Sequence, residues 1–103
     1  MIVLLATDVP PTLTDVERLD RLHAESPGPL ADMMVGSLCR FDPDGEHVWL
    51  DIAVARAAGA DVSDDDGWTE RFDAMITYAT SKGWTDDVGT HVRAHVEMAT
   101  GAE

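Results

Sequence analysis

Asp51, His91, Arg93 and His95 are the residues of this chain whose types and spacing best suit proton chemistry. His91, Arg93, His95 and Glu97 alternate with Val92, Ala94, Val96 and Met98. A period of two is the signature of a strand with one face buried, so residues 90–98 are predicted to extend and to send four ionisable groups to one side; Val88, Val92 and Val96 would also line a helix, the alternative for this segment. Histidine exchanges protons near neutral pH, and an arginine can clamp a carboxylate or enolate oxygen. Asp51 lies in the apolar run Trp49-Leu50-Asp51-Ile52-Ala53. Burial disfavours the charged form of a carboxylate, which makes Asp51 a candidate proton carrier. The catalytic candidates are therefore Asp51, His95 and His91. Arg93, Trp49, Phe41 and Ser37 are the expected substrate-binding residues.

Metal and cofactor chemistry find less support. His91 and His95 on a strand stand ~13 Å apart and cannot share an ion. The acidic run before Trp68 fails as a calcium loop, since Val62 and Asp73 occupy positions that need an acid and a glutamate. Neither a phosphate-binding P-loop nor a dinucleotide fingerprint fits anywhere. No metal and no cofactor are expected. Cys39 follows Leu38 in an apolar run and reads as a packed thiol.

The elements that must position these groups follow from the rest of the pattern. Residues 2–6 are a short apolar run read as a strand. Thr14 and Glu17 form a capping box, and Val16, Leu19 and Leu22 predict an amphipathic helix over 15–25 that Ser26-Pro27-Gly28-Pro29 ends. Two extended runs, 33–41 and 47–55, flank Asp42-Pro43-Asp44-Gly45-Glu46, a hairpin signal with proline and glycine where a bulged turn needs them. Pairing Asp42 with Glu46 puts Phe41, Cys39, Ser37 and Val35 on one face with His47, Trp49, Asp51 and Ala53. Residues 56–67 read as a loop. Trp68, Phe72, Met75, Ile76 and Ala79 trace a helical stripe over 68–82, closed by Gly83.

The predicted order is β-α-β-β-α-β, an α+β ferredoxin-like sandwich. Its four-stranded antiparallel sheet carries two helices on one face. Phe41, Trp49, Val35 and Ala53 make the other face half apolar, so a homodimer through that face is expected, as in a dimeric α/β barrel. The chain is one domain over 1–103.

Composition narrows the function class. Twenty acidic residues face seven basic ones, for a net charge of −13. That charge repels phosphate backbones, so no nucleic-acid partner is expected. No run is long and apolar enough to span a bilayer, and the cytoplasm is the expected location. The sequence points to a small-molecule-binding protein or cofactor-free acid–base enzyme of isomerase, cyclase or lyase type, with its site on the open sheet face. The alternative is an acidic inhibitor or immunity-type partner of a basic protein, with Asp61, Asp64, Asp65, Asp66, Asp86 and Asp87 as its patch.

Overall fold

The computed structural model describes residues 1–98. Six strands form one curled mixed sheet, a half-barrel, with two helices on its concave core. The strands are β1 (Ile2–Leu4), β2 (Thr12–Thr14), β3 (His23–Ser26), β4 (Cys39–Phe41), β5 (His47–Asp51) and β6 (His91–Met98). The helices are α1 (Ile52–Val62) and α2 (Trp68–Ser81). The sheet order is β2-β1-β3-β6-β5-β4, with β3 parallel to both β1 and β6 and the other pairs antiparallel. The ferredoxin-like four-stranded antiparallel sandwich is thereby overturned, although the chain remains α+β.

Three local departures produce the difference. First, residues 15–25 do not coil. Asp15 takes a φ of 51°, and successive turns bond Arg18 N–H to the Asp15 carbonyl and Arg21 N–H to the Arg18 carbonyl. Residues 23–26 then pair with β1 and β6, with Ala24 and Ser26 buried between the more exposed His23 and Glu25. Second, the run 47–55 stops being a strand at Asp51. Its carboxylate accepts the Val54 N–H at 3.0 Å and caps α1, whose interior is rich in alanine, the best helix former. Third, the hairpin register is one residue from the predicted one. Asp42 N–H bonds to the His47 carbonyl, and Gly45 takes a φ of 73°. Cys39 pairs with Leu50, and Phe41 with Val48. A one-residue slip reverses a strand's faces, so Cys39 and Phe41 turn to the core and Arg40 turns out.

The core lies between the sheet's inner face and the helices. Val3, Ala24, Val48, Leu50, Val92, Ala94 and Val96 meet Trp68 and Phe72, whose rings stack at 5.1 Å. The Trp68 indole N–H donates to the Val16 carbonyl at 2.6 Å, which ties the turn segment to α2. No helix among the described residues is long and apolar enough to cross a membrane.

Candidate functional site

Register places all four histidines of the chain on the sheet face that the helices leave uncovered. His95 on β6 is the direct neighbour of His23 on β3 and of His47 on β5. The alternation of β6 adds His91, Arg93 and Glu97, while β5 adds Trp49 and Asp51. The His47 and His95 rings meet edge to face, 5.5 Å between centroids. His23 Nε2 lies 3.1 Å from a Glu25 carboxylate oxygen and 3.9 Å from one of Glu97. The sequence supplied the alternation of β6 but gave no sign that β3 would bring His23 beside it.

Arg93 stands at the centre of this face. One of its terminal nitrogens is 3.3 Å from both ring nitrogens of His47, so the guanidinium lies against the imidazole rather than pointing at one atom. The Asp44 carboxylate fixes the His47 ring through Nδ1 at 2.7 Å. Hydrogen bonding from the Glu46 N–H, with His47 adding to it, holds the Asp44 carboxyl below the usual carboxylate range. Among the described residues, Arg18, Arg40, Arg56 and Arg71 are paired with carboxylates; Arg93 and the exposed Arg21 are not, and of these two Arg93 alone lines the pocket beside the histidines. An arginine left without a carboxylate, in a chain with so many of them, can receive an external anion.

A pocket of about 360 Å³ opens here, lined by Leu22, His47, Trp84, Arg93 and His95. Trp84 enters it because its carbonyl accepts the Arg93 N–H at 2.8 Å, while Thr85 bridges Val92. That short pairing extends the sheet beside β6 ahead of the point where β3 takes over. Neither Leu22 nor Trp84 was among the sequence candidates. Leu22 falls on the expected helix, and Trp84 lies just beyond α2.

The remaining candidates are dispersed. Asp51 and His91 meet as a cross-strand pair, with Asp51 Oδ2 3.8 Å from His91 Nε2, but His95 lies four residues away along β6. His91 also contacts the Thr90 hydroxyl at 2.8 Å and Asp86 at 3.4 Å through Nδ1. Asp86 is committed to its own loop, where one oxygen accepts the N–H groups of Thr90 and His91 at 2.8 and 3.1 Å. Although shielding from water acts in the opposite sense, those N–H groups keep the Asp86 carboxyl low. Asp51, as the cap of α1, is likewise engaged.

Trp49 stands on the open face beside Arg93 and donates its indole N–H to Asp42 at 2.8 Å. Phe41 packs against the core instead. Ser37 lines a different depression, between Pro10, Pro11 and α1. Val35 belongs to no strand, and Ala53 is in α1. The apolar patch from which self-association was expected is therefore broken up. The acids divide too. Asp61, Asp64, Asp65 and Asp66 stand at the end of α1, whereas Asp86 and Asp87 lie near its start, roughly 16 Å away at 1.5 Å per residue. Among the described residues no three His, Cys, Asp or Glu side chains are grouped to hold a metal ion.

No family model matches this chain, and no curated protein or solved structure does so either.

Proposed function

We propose that this protein binds a small carboxylate or phosphate-type anion on its open sheet face, with Arg93 as the anchor. His47 and His95 stand together beside the anchor and supply ring N–H groups to the same ligand, while Leu22 and Trp84 shield it from water. The observation that carries this reading is the Arg93 guanidinium, free of any carboxylate among the described residues and set in the pocket beside His47 and His95. The separation of the Asp51–His91 pair from His95 favours binding over the three-residue acid–base machine suggested by the sequence.

Calorimetric titration of the whole chain with acetate, and separately with inorganic phosphate, tests the proposal. A hydrogen bond to a charged group contributes ~1.5–3 kcal/mol, so Arg93→Met is expected to weaken binding by roughly ten- to a hundredfold. Unchanged affinity in that variant, or no heat from either anion with the unmodified protein, overturns it.

A further inference from the structure

The anion pocket does not end at Trp84. A second cleft of about 290 Å³ adjoins it and shares Leu22, Trp84 and Arg93. Beyond those shared residues its walls change character. Leu19, Met75 and Tyr78 form them, and the buried side chains of Ala79 and Val92 lie at its base. Tyr78 and Trp84 are 56% and 48% exposed, yet their rings are held edge to face at 5.9 Å. Two large aromatics kept in contact with each other and open to solvent form a wall against which a flat or alkyl group can pack. The one carboxylate there, Asp20, is taken up by both arms of Arg18 at 3.2 Å.

Resting on the anion-binding reading of the pocket, we infer that the ligand is an amphipathic monocarboxylic acid, its carboxylate on Arg93 and its aromatic or alkyl body lying between Tyr78, Trp84 and Met75. The position of Arg93 at the junction of the two cavities sets this polarity. Arg93 lines both cavities, with His47 and His95 beside it in the first and Leu19, Met75 and Tyr78 in the second. Small-molecule sites commonly enclose about 300–1,000 Å³, and each of these cavities alone sits at the lower edge of that range. A ligand spanning both uses the junction rather than one shallow end.

Three probes separate the parts of the claim: 3-phenylpropionate, its neutral counterpart 3-phenylpropanol, and acetate. The acid is expected to bind at least about tenfold more tightly than either fragment, a difference of ~1.4 kcal/mol. In Tyr78→Ser, a change at an exposed ring, the ratio of phenylpropionate to acetate affinity is expected to fall toward one. Equal affinity of the two acids for the unmodified protein overturns the inference but leaves the anion pocket standing. Equally tight binding of the alcohol, or an unchanged ratio in Tyr78→Ser, also overturns it. Failure of both acids to bind overturns the inference, and the pocket reading falls with it only when inorganic phosphate also gives no heat.

Discussion

Cys39 shows how one residue's surroundings set its chemistry. The thiol is 3% exposed and faces Leu50 across β4 and β5, and burial pushes its pKa from 9.0 up to about 11. The thiolate is the reactive form, so modification by a disulfide reagent at neutral pH is expected to be at least ~100-fold slower in the folded chain than in urea. The raised pKa also couples to folding. Between pH 9 and about 11 the unfolded thiol has lost its proton and the folded one retains it, so this contribution is complete below pH 9 and is lost as pH rises through that window. Denaturation curves across it should show a steeper alkaline decline for the unmodified chain than for Cys39→Ala. Parallel declines would show that the thiol ionises as easily folded as unfolded. In the sequence Cys39 read rightly as a packed thiol but was assigned to the wrong face, because Cys39-Arg40-Phe41 offers an apolar residue to either side.

At the scale of elements, α1 shows why composition alone misled. Its five alanines, with an aspartate cap before them, are a helix signal, yet Ile52 and Val54 prolong the largely apolar pattern of β5 and Gly59 suggests a loop. Gly59 has a packing role: a Cβ built there would lie 2.2 Å from the Trp68 ring. The ring is pinned by stacking on Phe72 and by its bond to Val16, so it cannot swing aside. Alanine would return about 1 kcal/mol of helix propensity, but overpacking costs ~1–3 kcal/mol or more. Gly59→Ala is therefore expected to destabilise the fold by ~1–2 kcal/mol in urea titrations; a gain in stability would mean that α1 and α2 do not meet as described.

Elements with a single consistent period, β6 and α2, were legible within a residue of their ends. The segment 15–25 was not, because Val16, Leu19 and Leu22 fit a helical stripe equally well as points where successive turns touch the core. The β3 strand was hidden for a related reason. Its two inward residues, Ala24 and Ser26, are too small to register as a hydrophobic alternation.

The whole molecule joins a strongly negative exterior to a locally basic pocket. The candidates on β6 were legible because alternation alone puts them on one face. Their partners were not, because His23, Leu22 and Trp84 arrive through long-range pairing that no local pattern encodes. A net charge of −13 repels an approaching carboxylate. Salt shortens the reach of that repulsion from ~30 Å at 0.01 M to ~8 Å at 0.15 M. The association rate of 3-phenylpropionate is therefore expected to rise severalfold over that range in stopped-flow traces, while that of the neutral alcohol stays flat. A rate that falls with salt would mean that the pocket's own field dominates the approach.

The most direct test of the central claim is an NMR titration of the histidine ring and arginine side-chain signals with 3-phenylpropionate. His47, His95 and Arg93 are expected to shift together along one saturable curve, while His91, beside Asp51 at the far end of β6, stays in place. Shifts at His91 with silence at Arg93, or no saturable shift at any of them, would contradict the account.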